Sequence, residues 1–188
     1  MRFPSNFRRS SFDLAIQQLR DGRVGESGYG RRVALLLTIP TFHDPVARDV
    51  RRSATGELYV VRTVWNRALD LATARITRDV RIPPGTAALV GLDLTTSRPP
   101  SLRSVRVDVD TQVVDSLLAS VTSATVPCCP HQSEPPLDAT IFELTFGEEL
   151  NETRYRWSAT TPSGWAPLAE FASQLIRMVD EPAGVGVR

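Results

Sequence analysis

Lysine is missing from this chain: all 22 of its basic residues are arginine, against 21 aspartates and glutamates, for a net charge of +1 over 188 residues. Arginine's planar, permanently charged fork grips carboxylates and phosphates through two parallel hydrogen bonds, where lysine acts as a point charge. Cysteine and histidine are scarce, at two each. That scarcity leaves no room for a disulfide-stapled fold or a four-cysteine zinc site. Long apolar runs are also absent. The longest, "VALLLTI" from Val33 to Ile39, has the length of a buried strand and falls far short of the roughly 20 residues that cross a bilayer. It also starts too deep in the chain, with no small-residue cleavage site after it, to read as a secretory leader. A cytoplasmic location with no membrane partner is expected. No HExxH, GxSxG or Walker motif occurs, and no internal repeat.

What is present suits a chain that folds alone. An apolar fraction of 41% with mixed charges lies well outside the disordered regime. The charge is unevenly placed: through Arg106 there are 18 arginines against 9 acids, a sum of +9, and from Val107 onward 4 arginines against 12 acids, a sum of −8. Such a split predicts either a surface for nucleic acid or an acidic partner on one side, or two halves that neutralise each other by packing, and within one small domain the second is preferred.

Hydrophobic periodicity divides the chain. In "SSFDLAIQQLRDG" Phe12, Ile16 and Leu19 share a helical face, and Gly22 marks a stop. The glycine-rich "GRVGESGYGRR" reads as a connection, because no strand precedes it as a phosphate loop requires. After the Val33–Ile39 strand, Pro40 to Gly56 reads as a loop, and "ELYVVRTVW" as a strand. "NRALDLATARITRDV" fits a short helix or a strand, and "PPGTAALVGLDL" runs from a turn into a strand. "LRSVRVDVD" alternates cleanly, with Val105, Val107 and Val109 on one face of a half-buried antiparallel strand. Asp110 can cap a helix carrying Val113, Val114, Leu117, Leu118 and Val121. A hairpin of "ATIFELTF" and "TRYRWSAT" follows, and then a closing helix with Leu168, Phe171, Leu175, Ile176 and Val179 on one side. The order predicts a single-domain α+β fold, mainly antiparallel, with helices on one face of the sheet. Residues 1–32 would form an N-terminal helix and connection, 33–181 the α+β domain, and 182–188 a tail.

The C-terminal stretch "LDATIFELTFGEELNETRYRWSATTPSGWAPLAEFASQLI" is similar to a pattern of small uncharacterised bacterial proteins: a "DGT-x-Y-x-L" strand, a hairpin, an aromatic strand and a "P-x-x-W-x-P-L" turn leading into a helix. Asp138, Thr140, Phe142 and Leu144 take the first strand's positions, Tyr155 and Trp157 the aromatic strand's, and Trp165, Pro167 and Leu168 the turn's. Ala139 and Ser158 depart from the pattern, where glycine and a second tryptophan are usual. The resemblance implies this fold and carries no activity with it.

Candidate chemistry is sparse. "VPCCPHQSEPP" places Cys128 and Cys129 side by side and two residues before His131. Adjacent cysteines do not present both sulfurs to one tetrahedral zinc, so the stretch reads as a proline-flanked loop with reduced thiols, and His43 has no reason to join it. No metal or other cofactor is expected. Trp65, Trp157 and Trp165 read as packing residues, with Trp157 and Trp165 buried where the last hairpin meets the closing helix. Asp108 and Asp110 share the polar side of their strand, and two acids without a glycine loop do not make a calcium site. The reading with most support is a non-enzymatic protein-binding module, an immunity-like inhibitor or operon accessory protein. Its charged surface would be Arg48, Arg51, Arg52 and Arg62 of the Arg-rich half or Glu148 and Glu149 of the hairpin turn. The alternative is a nucleic-acid binder using Arg48, Arg51, Arg52, Arg62 and Arg67 on phosphates, and after that an enzyme without a recognisable motif.

Overall fold

A computed structural model describes residues 11–22, 30–76, 99–128, 138–147, 151–158 and 160–181. The apolar run predicted as a strand is β1 (Arg31–Ile39), and it lies inside a six-stranded antiparallel sheet. Its neighbours are β2 (Val46–Arg52) on one side and β5 (Ile141–Phe146) on the other. Beyond β2 come β3 (Leu58–Trp65) and β4 (Leu102–Asp108), and beyond β5 comes β6 (Thr153–Trp157), so the order is β4-β3-β2-β1-β5-β6. The helices are α1 (Ser11–Asp21), α2 (Arg67–Ile76), α3 (Thr111–Thr122) and α4 (Ala166–Asp180).

The expected α+β class, the antiparallel sheet and the C-terminal amphipathic helix are all present. β1 is apolar at successive positions, so it must be covered on both sides. Ala34 and Leu36 face a core shared with Val114, Leu118 and Val121 of α3 and with Leu168, Phe171, Leu175 and Val179 of α4. Leu35, Leu37 and Ile39 face the opposite way, against Ala15, Ile16 and Leu19 of α1 and the ring of Trp65. Thus α3 and α4 share one face as predicted, while α1 adds a cover to the other.

The largest local departure is β2, which falls within the stretch expected to be a loop. "VARDVRR" lacks the apolar alternation that marks a strand, because Arg48 and Asp49 occupy positions that point inward. Both are buried and paired with opposite charges, which is what permits a charged strand in the middle of a sheet. The described part of the ambiguous segment after β3 resolves as helix α2, residues 77–80 lying outside the described residues, and Asp70 holds it, its carboxylate accepting from Trp65 Nε1 at 2.7 Å and from the Ser101 amide at 2.9 Å. The strand expected within "PPGTAALVGLDL" lies outside the described residues. Asp110 caps α3 as predicted, accepting from the amides of Gln112 and Val113.

Trp157 and Trp165 are both buried, edge to face with ring centroids 6.1 Å apart. Trp165 donates its indole N–H to the carbonyl of Pro127 at 2.9 Å, tying the start of the cysteine-bearing stretch to the start of α4.

Candidate functional site

Two sets of arginines meet carboxylates, one on each face of the sheet. On the α3–α4 face, Arg48 of β2 and Arg62 of β3 are cross-strand neighbours, and both point at Asp180, the last residue of α4. Arg48 sends its Nε and Nη2 to the two carboxylate oxygens of Asp180, and its Nη1 to Thr38 Oγ1 at 3.2 Å. Arg62 Nε reaches Asp180 Oδ1 at 2.9 Å. Burial pushes the Asp180 carboxyl up, but the hydrogen bonds and positive charges of Arg48 and Arg62 together outweigh it, and the group is held below its ordinary value. Further along the same face, Arg52 reaches from the end of β2 to Asp115 of α3 at 2.5 Å.

On the α1 face, Asp49 of β2 is buried between two arginines. Arg32 makes a two-pronged contact with it at 2.9 and 3.0 Å, and Arg51 reaches one of its oxygens at 2.7 Å. Gly22 closes α1 directly over this cluster at φ +62°, where a Cβ would stand 2.5 Å from Arg32 Nη2 and 2.8 Å from Asp49 Oδ2. At the other side of α1, Arg20 forks onto Glu143 of β5 at 2.6 and 2.7 Å. Glu143 is only 2% exposed, so α1 is bolted to the sheet by a charge pair as well as by its apolar side.

All four arginines expected to form a charged surface therefore engage carboxylates of the same chain: Arg48 and Arg62 on Asp180, Arg51 on Asp49, Arg52 on Asp115. They are not brought together as one patch, since Arg51 lies on the α1 face and the other three on the opposite one. Glu148 and Glu149 lie outside the described residues, as do Cys129 and His131. Cys128 is exposed with a free thiol. Arg67 uses its backbone amide, which donates to Asp44 Oδ1 at 3.0 Å. Asp108 pairs with Arg106 and Asp110 caps α3, so the two acids have separate duties.

Phe42 and Leu69 are not among the site residues expected from the sequence. Phe42, in the connection between β1 and β2, is 64% exposed, and Leu69 of α2 is 50% exposed. The elements carrying them are fastened together by the Arg67–Asp44 contact. Thr41 is fixed too, donating its hydroxyl to the Ala139 carbonyl at 3.1 Å. Phe42 is thus held out to solvent between two anchored neighbours, with exposed His43 beside it. The signal in the sequence was the phenylalanine itself, set in a short proline-bounded loop where nothing local can bury it.

The chain matches no protein-family model, no curated protein and no solved structure. Among the described residues no helix is long and apolar enough to cross a membrane.

Proposed function

We propose that this protein is a non-enzymatic protein-binding module, an immunity-like inhibitor or an operon accessory protein, and that it meets its partner through the end bearing Phe42 and Leu69. The observation that carries this reading is the exposure of Phe42 in a loop anchored on both sides. An aromatic side chain already held in place loses little freedom on binding and brings a large apolar area, which is how interface anchors contribute most of the binding energy. The pairing of Arg48, Arg51, Arg52 and Arg62 with internal carboxylates supports the same choice, since it leaves those side chains poorly placed to act as phosphate ligands.

The test is affinity purification from the source cells with the tagged chain and with a Phe42→Ser, Leu69→Ser double variant. Both positions are exposed, so the variant should keep its stability to within about 0.5 kcal/mol. One protein that co-purifies stoichiometrically with the wild type and falls at least tenfold with the double variant is the expected result. A partner retained in full by the double variant would remove this end of the molecule from consideration, and nucleic acid as the sole co-purifying species would overturn the protein-binding reading.

A further inference from the structure

Among the described residues the sheet ends at β4 on one side and β6 on the other, and these two strands differ in a way that selects a partner. β6 spans five residues and carries Arg154 and Arg156 at alternate positions on one side. Two copies of β6 laid antiparallel about Tyr155 would set arginine against arginine on that side. β4 is longer, at seven residues, and pairs with β3 from end to end without a bulge. A regular edge of this length offers a row of outward N–H and C=O groups to another strand.

The side chains of β4 are self-complementary in one register. Arg106 and Asp108 stand on the same side, 3.0 Å apart, and are 52% and 83% exposed. In an antiparallel pair of β4 strands related by a two-fold axis through Val107, Arg106 of each copy lies opposite Asp108 of the other. The same register sets Val107 against its own copy and brings Val105 towards Val109, the residue just past the end of β4. A two-fold axis through Val105 would leave Arg106 facing Ser104, and one through Arg106 would set the two guanidiniums against each other. Val105 is 49% exposed on the α3–α4 side, and Val113, in the first turn of α3, is exposed as well. Opposite charges at directly facing positions and apolar side chains on the other side are what stabilise an added strand.

We infer that β4 is a homodimerisation edge, with two copies of the chain joined about Val107 into one continuous sheet. The axis lies towards the Asp108 end of the strand. The Phe42–Leu69 end lies by the other terminus, where Leu102 pairs with Trp65, so a dimer would leave that end of each copy open.

Sedimentation equilibrium of the full chain from about one micromolar to several hundred micromolar tests this inference. The wild type should move from 20.7 kDa towards twice that mass as concentration rises. Asp108→Arg sets like charges opposite each other at two symmetry-related places and should weaken self-association at least tenfold. The swapped double variant Arg106→Asp, Asp108→Arg restores opposite charges in this register and should recover the wild-type behaviour. Both positions are exposed, and thermal melts would confirm folding. A wild type that stays monomeric to the highest concentration would overturn the inference. So would Asp108→Arg associating as the wild type does, or a double variant no better than the single one. None of these outcomes bears on the Phe42–Leu69 end, which is assayed by loss of a different protein.

Discussion

Asp180 shows how a single residue carries a long-range connection. It ends α4, yet its contacts are with Arg48 and Arg62 in strands more than a hundred residues earlier. Because the folded carboxyl titrates below its unfolded value of about 3.9, the pairing contributes fully above that value and is lost as pH falls through the lower, folded one. Asp180→Asn should therefore destabilise the fold near neutral pH by about 2–3 kcal/mol, chiefly because Arg48, which is 3% exposed, keeps its charge without a counter-charge. The gap between wild type and variant should narrow below about pH 4, where the wild type loses the same charge. Urea titrations at pH 7 and at acid pH check both the size and the trend.

At the level of elements, α1 depends on two contacts that its own sequence does not announce. Arg20 is partly exposed and can turn to water when its partner is lost, whereas Glu143 is sealed between α1 and β5. Arg20→Ala should therefore cost more, about 3–4 kcal/mol, than Glu143→Gln at about 1–2 kcal/mol, because only the first strands a buried charge. Arg154, whose Nε lies 3.7 Å from Glu143, limits the damage without replacing the lost fork. Gly22 is the second device. A left-handed residue with a side chain is strained by roughly 1–2 kcal/mol, and here the added Cβ would also displace the Arg32 guanidinium. Gly22→Ala should lower stability by at least that amount and expose the N-terminal helix to protease, which limited proteolysis followed by mass spectrometry would show. A polar residue at position 143 alternating with Phe142 and Leu144 reads as solvent-facing in the sequence, and only the arrival of α1 makes it interior.

For the whole molecule, the uneven charge of the two halves is met in part internally among the described residues. Arg20, Arg48, Arg52 and Arg62 come from the basic half, and the carboxylates they bind, Glu143, Asp180 and Asp115, come from the acidic half. Strand order explains this, because β5 inserts beside β1 and the last residue of α4 meets β2 and β3, bringing late acids onto early arginines. The protein should consequently bind generic duplex DNA or RNA negligibly at physiological salt. Non-specific binders reach dissociation constants of roughly 10⁻⁴ to 10⁻⁶ M, so a fluorescence anisotropy titration into the tens of micromolar decides the matter. Micromolar, salt-sensitive binding weakened by replacing Arg48, Arg51 and Arg52 would instead place nucleic acid first.

By itself the sequence determined what depends on near neighbours. The period of apolar residues placed α1, α3 and α4 and the strands β1, β3, β4, β5 and β6, the aspartate before α3 became its cap, and the aromatics of the last hairpin and the closing helix converged into one cluster. These follow from helical and pleated geometry, which repeats over a few residues and so leaves its mark locally. Only the tertiary structure decided that "VARDVRR" is a strand, that Glu143 and Arg48 are interior, and that Phe42 stays in water. A buried charge is tolerable only once its counter-charge arrives, and those counter-charges stand as far as 132 residues away along the chain. Exposure of an aromatic side chain is decided in the same way, by which elements pack beside it and which do not, and no local pattern of residues records that choice.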